Sequence, residues 1–174
     1  MNPSALSTGL KWGVIYGLVS VIYGLLLYVL GQSTNMALGF AGILILIVFI
    51  ILGMMNHYKQ SSSMTYGQGI LIGLLIGLIG GIFAAIFNYA IFALDPELVE
   101  FTKEKSIEIS ERFMEWTGLD ADQIDEALEQ AEEDGQFEIV PIKQAISTFF
   151  ASSFMGIFFS LIPAIFFRKK GSRY

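Results

Sequence analysis

Four long apolar runs separated by polar segments dominate this chain of 174 residues. They cover residues 12–30, 36–55, 69–94 and 144–167, and none contains Asp, Glu, Lys, Arg or His. None alternates with the period of two that is typical of strands. A bilayer core about 30 Å thick is crossed by roughly 20 helical residues. The pattern therefore predicts an all-α integral membrane protein with four transmembrane helices.

Composition agrees with this prediction. Hydrophobic residues make up 54% of the chain and charged residues 15%, whereas soluble domains carry about 25% charged residues. The absence of cysteine excludes disulfides and thiolate chemistry. The single histidine, His57, lies between an apolar run and Lys59, where we expect a solvated side chain at the membrane interface.

Charge divides the chain into two differently solvated parts. All sixteen acidic residues lie between Asp95 and Glu138. Residues 95–143 include these sixteen and four basic residues, a net charge of −12, and the other six basic residues lie elsewhere. We therefore divide the chain into three spans in 1–94, an acidic segment in 95–141, and span four with a basic tail in 142–174.

The acidic segment has helical periodicity, and we predict a helical hairpin. At 100° per residue, one face of its first helix is apolar and is flanked by Lys105 and Arg112, with glutamates opposite. Gly118 is expected to end this helix, and a second helix is expected to begin near Asp120 and to end at Gly135. The predicted apolar face consists of Leu98, Phe101, Ile109, Phe113 and Trp116.

Basic residues near the ends of the spans predict the orientation in the membrane. Lys11, Lys59 and the tail "RKKGSRY" lie at one side, and the loop "GQSTN" at the other side has no charge. We expect both termini in the cytoplasm. The acidic hairpin between spans three and four is then extracytoplasmic.

The stretch "GQGILIGLLIGLIGG" at 67–81 has six glycines. It departs from the G-x-G-x-x-G dinucleotide fingerprint by one residue, and an apolar span follows it. Small residues at every fourth position instead let helix backbones approach closely in lipid. Similar spacing occurs in span one at Gly9, Gly13 and Gly17, and in span four at Ser152, Gly156 and Ser160. The predicted helix-packing residues are Gly13, Gly17, Gly69, Gly73, Gly77, Gly81, Asn88 and Gly156.

These ladders of small residues have two interpretations. We favour packing within the four-helix bundle, and the alternative is contact with a second copy of the chain or with another membrane protein. For Asn88, which shares the face of Gly81, we expect an interhelical hydrogen bond. We expect the lipid bilayer to be a partner of the protein, and we expect no nucleic-acid partner.

Nothing along the chain forms a catalytic constellation. The serines have no general base beside them in the sequence, and the spans have no ionisable group of the kind that marks proton or ion pathways. "DADQID" departs from a calcium loop because Asp125 stands where glycine is required. We therefore expect no enzymatic activity, no metal site and no cofactor.

The chain resembles the uncharacterised bacterial membrane family catalogued as domain of unknown function 4199. The resemblance rests on "LKWGVIYGLVSVIYGLLLY", on "MTYGQG" entering span three, on "FNYAIFALDPEL" leaving it, and on the acidic insert and basic tail. It implies a four-span protein of the bacterial inner membrane. The function we expect is that of a non-enzymatic scaffold or accessory protein, acting through helix packing and the acidic hairpin. The alternative is a small channel or transporter with a pathway between the spans.

Overall fold

The computed structural model describes residues 4–167, and this part of the chain contains six α-helices and no strand. The basic tail predicted at the end of the chain, beyond Phe167, lies outside the described residues. The helices are α1 (Ala5–Val29), α2 (Met36–Ser61), α3 (Tyr66–Leu94), α4 (Pro96–Thr117), α5 (Ala121–Glu133) and α6 (Pro141–Phe167).

Four of these helices, α1, α2, α3 and α6, are long and apolar enough to cross a membrane. They contain the four predicted spans, and the chain is a multi-pass membrane protein. Each of the first three begins at a polar cap that satisfies free backbone N–H groups. Ser4 Oγ accepts from the Ser7 N–H at 3.1 Å, and Asn35 Oδ1 accepts from the Ala37 N–H at 3.0 Å. Thr65 and Gln68 bond each other reciprocally at the start of α3.

The boundaries of α4 and α5 follow from local sequence chemistry. Asp95 accepts from the Leu98 N–H at 3.0 Å, and Pro96 occupies the first turn of α4. Gly118 ends α4 with a φ of +88°, a conformation that glycine adopts without steric cost. Asp120 then caps α5 and forms a capping box with Gln123.

The described residues form two compact units. The first comprises 4–87 with 145–167, and its core is apolar and fully enclosed around Ile50, Met54, Ile72 and Ile76. The outside of this unit also carries large apolar side chains, among them Leu26, 55% exposed, and Phe154, 67% exposed. Such an exterior suits lipid as the surrounding solvent.

The second unit is Asn88–Gln144 and contains α4 and α5, which contact each other. Its buried residues are Ile124 and Ala131 on α5 and Phe137 beyond it. This small core holds α5 against one side of α4.

Candidate functional site

The glycines of α3 lie against the small residues of α6. Along the two antiparallel helices, Gly69 faces Ala164, Gly73 faces Ser160, Gly77 faces Gly156, and Gly81 faces Ser152 and Phe149. A Cβ atom on Gly77 would lie 2.8 Å from Gly156 Cα, and one on Gly156 would lie 2.6 Å from the Gly73 carbonyl oxygen. The Ser152 hydroxyl also donates a 2.9 Å hydrogen bond to the Gly77 carbonyl oxygen. The space beside these glycines is therefore occupied by small side chains and by the backbone of α6, with backbone nearest at Gly77.

The glycines of α1 meet α3 in a different way. The contacts run in order of residue number along the two parallel helices. Gly9 faces Leu75, Gly13 faces Ile79, Gly17 faces Phe83, and Gly24 faces Phe87. A Cβ atom on Gly17 would lie 2.6 Å from Phe83 Cδ2, and one on Gly24 would lie 2.6 Å from Phe87 Cε1. Large side chains of α3 thus fill most of the space that the glycines of α1 leave open, and at Gly13 the Leu75 carbonyl oxygen is equally close, at 3.0 Å.

These contacts bring together seven of the eight predicted helix-packing residues inside one chain. Gly13 and Gly17 lie between α1 and α3. The predicted residues between α6 and α3 are Gly69, Gly73, Gly77, Gly81 and Gly156. The eighth, Asn88, is half-buried and belongs to the second unit. Its interhelical hydrogen bond stays a prediction.

The first unit also contains a cavity of about 310 Å³ between α1, α2, α3 and α6. Its walls are mostly apolar, and Tyr16, Ser20, Tyr23 and Ser152 contribute hydroxyl groups. Three of these hydroxyls donate to backbone carbonyl oxygens: Ser20 to Gly17 at 2.8 Å, Tyr23 to Leu38 at 2.7 Å and Ser152 to Gly77 at 2.9 Å. The bonds from Tyr23 and Ser152 connect different helices, whereas the bond from Ser20 lies within α1.

His57 is buried between α1 and α2, and the prediction of a solvated side chain is wrong. It is 2% exposed, and its Nδ1 lies 3.3 Å from the Thr8 hydroxyl oxygen. The Thr8 hydroxyl also donates to the Ser4 carbonyl oxygen at 3.1 Å, so this threonine links the start of α1 to His57 of α2. No sequence signal links Thr8 to a histidine 49 positions later, so the pair is visible only in the fold.

The second unit gives α4 three distinct sides. α5 lies along one side, and glutamates such as Glu104 and Glu111 are exposed on another. The third side is the predicted apolar face, and α5 leaves most of it open. Leu98 is half-buried, whereas Phe101 is 42%, Ile109 48%, Phe113 61% and Trp116 82% exposed.

Ion pairs fix the charged side chains of α4. Lys103 Nζ lies 2.6 Å from Glu132 Oε1 of α5, and this partner raises the pKa of Lys103 above its ordinary value. Glu108 accepts from both Lys105 and Arg112, and these cations lower the pKa of its carboxyl group, Lys105 having the larger effect. All of these side chains are partly or largely exposed, so solvent screens each pair and its contribution to stability is small.

Within residues 4–167, no three His, Asp or Glu side chains lie together in a way that could hold a metal ion. What the described arrangement offers chemically is close packing inside the first unit and two exposed sides of α4, one acidic and one apolar.

Comparison with known proteins adds a family and no activity. A family model described as "Protein of unknown function (DUF4199)" matches residues 11–169, most of the chain. No curated protein and no solved structure matches it. With four helices able to span a membrane and a family match over nearly its whole length, the chain belongs to the family of unknown function DUF4199.

Proposed function

We propose that this protein is a non-enzymatic membrane scaffold or accessory protein that presents its acidic segment to a partner. The main support for the proposal is that the glycines pack against other helices of the same chain. Gly77 and Gly156 meet backbone to backbone, and large side chains of α3 fill the space at Gly17 and Gly24. With those surfaces used internally, the segment 95–141 offers the largest polar surface for recognition.

The proposal includes the orientation and location of the protein. Both termini are cytoplasmic in the inner membrane of a bacterium, and α4 and α5 form an extracytoplasmic acidic helical hairpin. Support comes from Lys11 and Lys59, which lie on one side of the apolar spans, and from the uncharged loop on the other.

Cysteine labelling tests the orientation. The chain has no natural cysteine, so single cysteines at Ser62 and Gly118 report their own positions. On intact cells with a permeable outer membrane, an impermeant maleimide should label the Gly118→Cys protein and spare the Ser62→Cys protein. Labelling of Ser62→Cys alone would invert the orientation.

Site-specific photocrosslinking tests the scaffold function. A photoreactive amino acid at Glu104, on the acidic side of α4, should give one discrete protein adduct in cells. The adduct should weaken several-fold when Glu111→Gln and Glu115→Gln remove neighbouring charges, because opposite charge steers the encounter. The matched control is the same photoreactive residue at Val48, which is 51% exposed on an apolar span. If the photoreactive residue at position 104 gives no adduct, or gives the same adduct as the one at position 48, the scaffold proposal is wrong.

The cavity supports the alternative of a small channel or transporter. It lies among four apolar helices and has hydroxyl groups on its wall. Purified protein in liposomes should then conduct a small solute, and Ala84→Leu, which adds bulk at the cavity wall, should abolish the flux. If the protein conducts a solute and Ala84→Leu blocks this flux, the protein is a channel or transporter and the scaffold proposal is wrong.

A further inference from the structure

Most of the apolar face of α4 is left uncovered by the described residues. At 100° per residue, Leu98, Ile109 and Trp116 point within about 20° of one direction, and Phe101 and Phe113 flank them. Four of these five side chains are between 42% and 82% exposed. A soluble surface rarely leaves this much contiguous aromatic and aliphatic area open to water.

The connections of α4 place it beside lipid. α3, an apolar membrane-spanning helix, ends at Leu94, and α4 begins at Pro96, only two residues later. The next spanning helix, α6, begins at Pro141. The segment between them therefore leaves and re-enters the bilayer at the same surface. Because α4 has 22 residues, it extends about 33 Å from the point where it leaves α3.

The charges on α4 are arranged as lipid headgroups require. At 100° per residue, Lys105 and Arg112 lie on the apolar face itself, between Phe101 and Leu98. The exposed glutamates lie on a different side. Glu108 neutralises one of these two cations, which leaves this edge with a net charge of about +1. Lys105 Nζ also lies 6.0 Å from the centre of the Phe101 ring, so the cation and the aromatic ring belong to one surface. Long basic side chains beside an apolar face can extend to phosphate groups while their stems stay in contact with apolar surface.

We propose that α4 is an interfacial helix that lies along the membrane surface. Phe101, Ile109, Phe113 and Trp116 insert at the boundary between headgroups and acyl chains, and Lys105 and Arg112 contact lipid phosphates. The glutamate side remains in water, where a partner can reach it. This inference needs only the membrane spans and holds whichever side of the membrane carries the segment, so it does not depend on the scaffold function.

Tryptophan fluorescence of the full chain in vesicles tests the proposal. The chain has only two tryptophans, so Trp12→Phe leaves Trp116 as the reporter. The vesicles contain phosphatidylcholine and phosphatidylglycerol, with bromine either near the top of the acyl chains or near their ends. Insertion by about 5–10 Å predicts roughly twofold quenching of Trp116 by shallow bromine, weaker quenching by deep bromine, and little quenching by aqueous acrylamide.

A matched control moves the reporter to the glutamate side of the same helix. The variant Trp12→Phe, Trp116→Phe, Glu111→Trp should be quenched by acrylamide and not by brominated lipid. Trp12 packs edge-on against Phe49, so Trp12→Phe changes a packed contact. The difference in fluorescence between the wild type and Trp116→Phe reports on Trp116 while Trp12 stays in place.

Two outcomes would overturn the proposal. If acrylamide quenches Trp116 as strongly as the tryptophan at position 111 and brominated lipid does not, the face lies in water. If neither quencher reaches Trp116 in these vesicles, a second copy of the chain covers the face instead of lipid.

Discussion

The contacts of α3 with α6 and with α1 use the same spacing of small residues and fill the space between the helices differently. Between α3 and α6, small residues stand on both helices, and backbone meets backbone at Gly77 and Gly156. Between α1 and α3, the glycines of α1 receive large side chains, such as Phe83 at Gly17. A ladder of glycines in the sequence therefore describes two kinds of contact.

The difference determines how each contact can respond to an added methyl group. A backbone atom moves only if its whole helix moves, and packed interiors resist such shifts. A side chain can rotate or be replaced by a smaller one. In lipid, where association depends on packing contacts and interhelical hydrogen bonds, the contact between α3 and α6 should tolerate substitution least. The predictions below grade the glycines by the atoms that a new methyl group would meet.

Among the glycine-to-alanine substitutions, the largest effect is expected for Gly77→Ala. The new Cβ would lie 2.5 Å from the Ser152 carbonyl oxygen and 2.8 Å from Gly156 Cα, so the helices must separate. Overpacking of this kind costs about 1–3 kcal/mol, and we expect about 2–3 kcal/mol here because the Ser152 hydrogen bond to Gly77 is strained too. The measurement is unfolding in mixed detergent micelles, followed by circular dichroism.

A control for this prediction must lie on α3 and face lipid. Ile72 is fully buried, so Ile72→Leu is not such a control, whereas Ile86 is 66% exposed and Ile86→Leu should be silent. The double variant Gly73→Leu, Gly77→Leu should fail to fold or should migrate differently in a native detergent gel. Wild-type stability and migration in that double variant would contradict backbone contact between α3 and α6.

An intermediate effect is expected for Gly17→Ala. Its Cβ would lie 2.6 Å from Phe83 Cδ2 and 3.1 Å from Phe83 Cβ, so a side chain and not a backbone has to move. We expect a loss of about 1 kcal/mol. In a Phe83→Ala background the same substitution should cost much less, because the ring is gone and only the Cβ atom at 3.1 Å remains. A cost that is equal in both backgrounds would show that Phe83 does not set it.

How well these contacts could be predicted from the sequence depends on how far apart the contacting residues lie along the chain. The four spans and the caps of α4 and α5 follow from local patterns, since hydropathy and residues such as Asp95 and Gly118 act over a few positions. The spacing of Gly69 to Gly81 also marks a face made for close approach. The spacing does not identify the helix that approaches, because only the tertiary fold brings Ser152 and Gly156 of α6 to this face. The pair of Thr8 and His57 and the open face of α4 are tertiary features for the same reason.

A smaller effect is expected for Gly24→Ala. The methyl group would meet the far end of the Phe87 ring, 2.6 Å from Cε1, and the atoms at this end move easily when the ring rotates. We expect a loss of about 0.5 kcal/mol. Phe87→Leu removes Cε1 and Cζ and should make Gly24→Ala neutral in the same unfolding experiment. If Gly24→Ala costs as much as Gly77→Ala, the distinction between side-chain and backbone neighbours fails.

The smallest effect is expected for Gly39→Ala on α2. A Cβ atom there would have no heavy atom within 4 Å, and the residue is exposed. Alanine also favours helix more than glycine does, by about 1 kcal/mol in water. We therefore expect the free energy of unfolding to stay within about 0.5 kcal/mol of wild type or to rise slightly. This variant is the reference for the other glycine-to-alanine substitutions, because it adds the same methyl group where no other atom is close. If Gly39→Ala destabilised the protein as much as Gly77→Ala does, the cost would come from the loss of glycine itself. The comparison between the two contacts of α3 would then have no basis in what each glycine touches.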